Sequence, residues 1–163
     1  MATNLKNLSD YNPEEIPSAK DMRIGIVVAD WNSEITFALL HGSLETLSKF
    51  GATNSNVSIV HVPGSFELTS GARILADTGK FDGIICLGCV IHGDTPHFDF
   101  ICQGVTQGIT QLNLNYKIPF IFGVLTTNTL QQAKDRAGGI HGNKGDEAAI
   151  TAIKMIALKN QLR

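Results

Sequence analysis

FDGIICLGCVIHGDTPHFDF, residues 81–100, is the stretch whose reading decides the fold. Its first half is an apolar run of Ile84, Ile85, Cys86, Leu87, Cys89, Val90 and Ile91. A short apolar run bounded by Gly and charge reads as a strand buried on both faces of a parallel sheet. Its second half packs His92, Asp94, Thr95, Pro96, His97 and Asp99 into eight residues. Proline suits the first turn of a helix, and Asp94 or Thr95 before it reads as the cap. A buried strand therefore stops, a polar loop turns, and a helix starts. In open α/β sheets, ligands bind in the crevice outside the carboxyl ends of the strands. Titratable groups at that place are candidates for chemistry.

Outward from this stretch the chain alternates strands and helices. Residues 1–21 are polar, with Pro13 and Pro17 and no clear period, and read as an arm preceding a domain of residues 22–163. Met22 to Ala29 (MRIGIVVA) is a strand, followed by a loop of Asp30, Trp31, Asn32 and Ser33. A helix is predicted from Glu34 to about Phe50, with Phe37, Leu40, Leu44 and Leu47 on one face and Ile35, Ala38 and Leu39 beside it. A helix so broadly apolar is covered on more than one side. Ser55 to Val62 is a second strand, Pro63-Gly64 a turn, and Ser65 to Asp77 a helix. After the central strand, the helix beyond Pro96 presents Ile101, Val105, Ile109 and Leu112 and runs to about Asn115. Pro119 to Leu125 is a fourth strand and Thr129 to Arg136 a short helix. A Gly-rich loop, Gly138 to Gly145, then leads into a last helix from Asp146 to Leu162. The order β-α-β-α-β-α-β-α-α implies a parallel sheet with helices on both faces.

A chain of 163 residues favours one domain. Lys and Arg number 13 against 15 Asp and Glu, a formal charge of −2, which argues against a general nucleic-acid or membrane-surface binder. Charged residues make up only 17% of the chain, so part of the surface is expected to lie under partner subunits. The three cysteines, an odd number without a secretory signal, read as reduced thiols in a cytoplasmic setting. No apolar run approaches the roughly 20 residues of a membrane span.

Several clusters carry more than one reading. His92, Asp94 and His97 suit a metal ion, acid–base or phosphate work, or a plain solvated loop. His97 is the best acid–base candidate, since neutral imidazole titrates near working pH. The helix start beside it, with Thr95, offers a phosphate its free N–H groups and dipole. Cys86 and Cys89 form CxxC, but inside a strand they point to opposite faces and read as packing. Gly142-Asn143-Lys144-Gly145 does not fit a Walker A loop. Arg136 and Lys144 are either phosphate ligands or solvated charges. Of the aromatics at strand ends, Phe66 and Phe122 read as core, whereas Trp31 lies in a loop and suits stacking on a planar ligand. Glu67 at a helix start satisfies the dipole.

Taken in order, GIVVADWN (25–32), VPGSFELT (62–69), LGCVIHGDTPHFDFI (87–101), PFIFGVLTT (119–127) and DRAGGIHGNKGDEAA (135–149) resemble the 6,7-dimethyl-8-ribityllumazine synthase family. The resemblance covers nearly all of residues 22–163. It implies a flavodoxin-like, three-layer α/β/α fold with a four-stranded parallel sheet. It implies condensation of 5-amino-6-(D-ribitylamino)uracil with L-3,4-dihydroxy-2-butanone 4-phosphate, the penultimate step of riboflavin biosynthesis, by imine formation, phosphate elimination, ring closure and loss of water. No metal and no organic cofactor is implied.

Carried over by position, His97 matches the acid–base histidine. Trp31 matches the aromatic against the pyrimidine. Ser65, Phe66 and Glu67 match the segment that holds the pyrimidine and its ribityl chain, and Cys89, Val90 and Ile91 the strand end lining the same pocket. Asp94 and Thr95 match the pair at the phosphate, with Arg136 as basic anchor. Asp94 is acidic where some members carry Ala or Gly, so its side chain is expected to point away from the anion. His92 receives no role. Phe122 matches a ring supplied by the neighbouring subunit, with Lys144 in its region. The resemblance further implies a homo-oligomer, pentamer or twelve-pentamer shell, with active sites between subunits and riboflavin synthase as a candidate enclosed partner. Two rivals are a different enzyme on the same kind of fold and a non-catalytic shell-forming or flavin-binding relative. The absence of a P-loop speaks against the first, and the presence of His97 and Arg136 against the second.

Overall fold

The structure is a computed structural model that describes Asn7 and residues 9–162. The main elements are β1 (Ile24–Ala29), α1 (Ser33–Lys49), β2 (Val57–Val62), α2 (Leu68–Asp77), β3 (Gly83–Ile91), α3 (His97–Asn115), β4 (Phe120–Thr127), α4 (Leu130–Lys134) and α5 (Lys144–Gln161). A small antiparallel hairpin, β5 (Ala137–Gly139) and β6 (Gly142–Asn143), precedes α5. β1 to β4 form one parallel sheet in the order β2-β1-β3-β4.

Because side chains alternate along a strand, each strand feeds two cores. Ile24, Ile26, Val28, Ile85, Leu87, Ile121 and Leu125 meet α1 and α5 on one face. Val27, Ala29, Ile84, Cys86, Phe120 and Val124 meet α2 and α3 on the other. Every residue of β1 is buried, as expected for an inner strand covered on both faces, while β2 at the sheet edge buries only Val62. This is the expected flavodoxin-like three-layer α/β/α arrangement with four parallel strands. The β1–β3 ladder ends at Val28 opposite Leu87, whereas β3 continues beside β4 to Ile91 opposite Thr127. β3 therefore outruns β1, and its last residues border an open crevice.

Two glycines permit close approaches that shape the site and the helix layer. A Cβ at Gly88 would stand 2.8 Å from both Leu68 Cδ1 and Ser65 Oγ, so the turn before α2 can press onto β3 only over a bare backbone. A Cβ at Gly145 would run into the Leu39 carbonyl, and the Ser43 hydroxyl donates to the Gly145 carbonyl at 2.9 Å across the same α1–α5 crossing.

Several expectations need correction. The buried face of α1 is Ile35, Thr36, Leu39, Gly42, Ser43, Thr46 and Leu47; Leu40 and Leu44 flank it, and Phe37 is exposed. α3 begins at His97, one residue after Pro96. Neither Asp94 nor Thr95 caps it: Pro96 takes the cap position with helical dihedrals and no side-chain bond. Ser65–Glu67 forms a 3-10 turn ahead of α2. The Gly-rich segment folds into the β5–β6 hairpin, and Asn143 caps α5 by accepting the Gly145 amide at 2.8 Å.

The described part of the N-terminal segment lies against the α1–α5 layer. Ile16, Ala19 and Met22 join that core, and the Asn56 amide donates to the carbonyls of Ala19, Lys20 and Met22. Residues 1–6 and Leu8 of the expected arm lie outside the described residues, as does Arg163. Among the described residues no helix is long and apolar enough to cross a membrane.

Candidate functional site

A cavity of about 500 Å³ opens at the carboxyl ends of β1, β2 and β3. Cys89, Val90 and Ile91 form its floor, where β3 runs past its neighbour. Trp31 and Asn32 from the β1–α1 loop make one wall. Gly64, Ser65, Phe66 and Glu67 make the second. The third comes from the β3–α3 loop and the first turns of α3: Gly93, Thr95, His97, Phe98 and Ile101.

Each wall is held by specific bonds. The Trp31 amide donates to the Pro63 carbonyl at 3.0 Å, and the Asp30 amide to the Val62 carbonyl at 2.8 Å. His61 Nδ1 lies 2.8 Å from Asp30 Oδ1 and edge-on to Phe37, which fixes the root of the loop. Ser65 is buried, and its hydroxyl donates to the Cys89 carbonyl at 3.4 Å. Phe66 and Trp31 are exposed, 58% and 73%, and both face the cavity. Aromatic rings left this open contribute little to the fold and suit a planar ligand.

The polar side of the cavity is α3. His97 is its first residue, exposed, and its side chain makes no hydrogen bond or ion pair among the described residues. The amides of Asp99 and Phe100 are taken by the Pro96 carbonyl. Those of His97 and Phe98 precede any intrahelical acceptor, which leaves them and the dipole of a 19-residue helix for an anion. Thr95 borders the same end.

The cysteines do not supply a nucleophile. Burial pushes the Cys89 thiol up to about 12 and the Cys86 thiol equally far, so both stay protonated. They belong to opposite cores, as their strand positions require. Among the described residues, no three His, Cys, Asp or Glu side chains converge as metal ligands, so His92, Asp94 and His97 do not meet. His92 instead packs against Phe98, ring centres 4.9 Å apart.

The cavity gathers Trp31, Ser65, Phe66, Glu67, Cys89, Val90, Ile91, Thr95 and His97. It does not gather Asp94, Phe122, Arg136 or Lys144. Asp94 is exposed beside the cavity. Arg136 follows α4, with Nη1 donating to the Gln132 carbonyl at 2.9 Å. Phe122 and Lys144 line a second cleft of about 280 Å³ along the free edge of β4, between α3 and α5. There Lys144 Nζ lies 2.7 Å from Glu147 Oε1. Sequence reasoning missed Asn32, Gly64, Gly93, Phe98 and Ile101 as lining residues. Ile101 carries a periodicity that reads as core, and nothing local distinguishes Phe98 from it.

The sequence model of the 6,7-dimethyl-8-ribityllumazine synthase family matches residues 21–160. A protein of that name from Parabacteroides distasonis is 62% identical over 156 residues, 96% of this chain and 98% of its own. One from Porphyromonas gingivalis is 57% identical over 159 residues, 98% of this chain and 99% of its own. One from Phocaeicola vulgatus is 56% identical over 163 residues, all of this chain and 97% of its own. The match spans every strand of the sheet and all three walls of the cavity, and this chain belongs to the 6,7-dimethyl-8-ribityllumazine synthase family.

Proposed function

We propose that this chain is a transferase that condenses 5-amino-6-(D-ribitylamino)uracil with L-3,4-dihydroxy-2-butanone 4-phosphate to 6,7-dimethyl-8-ribityllumazine, releasing phosphate and water. The observation that carries the reading is one cavity with exposed aromatic rings on one side and His97 at an unobstructed helix start on the other. Trp31 and Phe66 take the faces of the pyrimidine, and Cys89, Val90 and Ile91 its edge. Ser65 and Glu67 hold polar atoms of the ring and the ribityl hydroxyls. Thr95 and the first-turn amides of α3 receive the phosphate.

The chemistry then needs few groups. Holding both substrates in one cavity removes the entropic cost of their encounter. The ring amine attacks the ketone, and water leaves to give the imine. A proton then leaves C3 as phosphate departs from C4, the resulting enol tautomerises to a ketone, the second amine adds to that carbon to close the ring, and water leaves again. Each step moves a proton, and in this reading His97 takes and returns it. Positive charge beside the departing phosphate eases its loss; Arg136 and Lys144 are the candidates, with Asp94 turned outward.

Phe122 and Lys144 belong to this reading through a neighbour. Their cleft lies on an uncovered sheet edge, separate from the His97 cavity. Met155 of that cleft is 42% exposed and Phe100 on α3 68%. An uncovered strand edge with exposed apolar side chains on the same subunit suits an interface between copies. We assign them to contacts in a homo-oligomer, a pentamer or a shell of twelve, in which one subunit's second cleft faces its neighbour's cavity. The setting is cytoplasmic, and riboflavin synthase is a partner such a shell would enclose.

The test mixes purified protein with both substrates and follows the lumazine chromophore against a protein-free control. Formation well above the control is expected. A rate equal to the control overturns the enzyme reading and favours a non-catalytic, shell-forming or flavin-binding relative.

A further inference from the structure

Asn32 is the only non-glycine residue among the described residues with a positive φ, at φ 60° and ψ 45°. Left-handed backbone is unfavourable for most side chains and tolerated best by Asn and Gly. Strain of this kind persists only where surrounding structure enforces it. Asn32 occupies the cap position of α1, and its carbonyl accepts the Ile35 and Thr36 amides at 2.9 and 3.0 Å. Its side chain, however, makes no cap bond. The Nδ2–H donates instead to the Cys89 carbonyl at 3.0 Å.

That carbonyl lies where β3 has outrun β1, two residues beyond the last pair of their ladder. The Asn32 amide thus stands in for the strand that has ended. The Ser65 hydroxyl reaches the same oxygen from the opposite wall. Three segments of the cavity therefore meet at one acceptor. Trp31 is bracketed by this anchor and by its own amide bond to Pro63. Its side chain is too exposed for packing to hold it, so these backbone restraints fix the point and direction from which the ring projects.

We propose that Asn32 is a positioning residue for the pyrimidine: its left-handed backbone and its bond to Cys89 hold Trp31 and the β3 end at the spacing the ring requires. This rests on the reading of the cavity as the pyrimidine site. Asn32 acts through Trp31 and Cys89, not on reacting atoms. Its loss therefore weakens pyrimidine binding and leaves phosphate binding and the chemical step nearly intact.

Two variants test this in the full-length protein. Asn32→Gly keeps the left-handed backbone without cost and removes the amide. Asn32→Asp keeps the shape and cannot donate to the carbonyl. Trp31 is the only tryptophan, so its fluorescence anisotropy reports the anchor with no ligand present. Both variants are expected to depolarise Trp31 emission faster than the parent. The KM for the ribitylaminouracil should rise about fivefold, as for one neutral hydrogen bond, with the KM for the butanone phosphate and kcat within about twofold. Unchanged anisotropy overturns the proposal whatever the kinetics show. So does a parallel rise in both KM values, which marks a general structural defect. If the parent forms no lumazine, the proposed reaction fails by itself, and the anisotropy still decides whether Asn32 anchors Trp31.

Discussion

Replacing Trp31 by Ala separates a ligand-stacking ring from a packing ring. The side chain is 73% exposed, so its removal costs the fold little. A surface change of this kind stays within about 0.5 kcal/mol, or roughly 2 °C in a domain this size. Its worth to a ligand is larger. A tryptophan carries about 250 Å² of surface, of which about 180 Å² is open here. A heteroaromatic ring covering one face removes about a third of that, roughly 60 Å². At about 25 cal/mol per Å² this is about 1.5 kcal/mol, a factor of about ten in Kd. Base–aromatic stacking elsewhere falls in the same range, about 1–3 kcal/mol. Calorimetric titration with 6,7-dimethyl-8-ribityllumazine measures the change, and Trp31→Phe should recover most of it. A change in Kd below twofold refutes stacking. A large fall in Tm that accompanies the affinity loss refutes the claim that the ring is free of the fold.

His97→Ala should lower kcat by about 10²-fold with little change in either KM; a loss beyond about 10⁴ would mean that proton transfer, not positioning, dominates. Mixing Phe122→Ala with Trp31→Ala protein under conditions of subunit exchange should restore about a quarter of the sites, since a shared site needs one intact half from each neighbour; no recovery refutes the shared site. Gly145→Ala should destabilise the fold by about 2–3 kcal/mol in urea titration, because the added methyl meets the Leu39 carbonyl, and a neutral effect refutes that crossing. Burial alone would raise the Asp82 carboxyl, but Arg23, bonded to it at 3.1 Å, holds it below its ordinary value. A lowered folded value means stability present above the unfolded value and lost as pH falls through the folded one. The Tm gap between parent and Arg23→Met should therefore be level above about pH 5 and shrink below about pH 4; a gap that widens with acid contradicts the pairing.

The sheet was legible because a parallel strand buried on both faces must be apolar throughout, and Ile84 to Val90 has that character. Helix faces were harder. The inward side of α1 carries Thr36, Ser43 and Thr46, where small polar residues fit the layer, and the hydroxyls of Thr36 and Ser43 find backbone carbonyls. A pattern read only for large apolar residues turns that helix toward Phe37. The α3 start was misread by one residue because Pro96 adopts helical dihedrals without needing a cap. Trp31, Ser65–Glu67, Cys89–Ile91, Thr95 and His97 fall at strand ends and helix starts, so topology alone brings them together. Asn32 was missed because a left-handed backbone in a loop leaves no periodic trace. Phe122 and Lys144 sit on another edge, which spacing along one chain does not reveal.

The central claim is that this cavity joins the two substrates with loss of phosphate. Inorganic phosphate and lumazine chromophore, followed together in one sample of purified protein and corrected for the protein-free reaction, test it most directly. The account predicts one phosphate for each lumazine, both formed well above background and both falling together in Trp31→Ala and His97→Ala. Phosphate release without lumazine, or lumazine at the background rate, would contradict it.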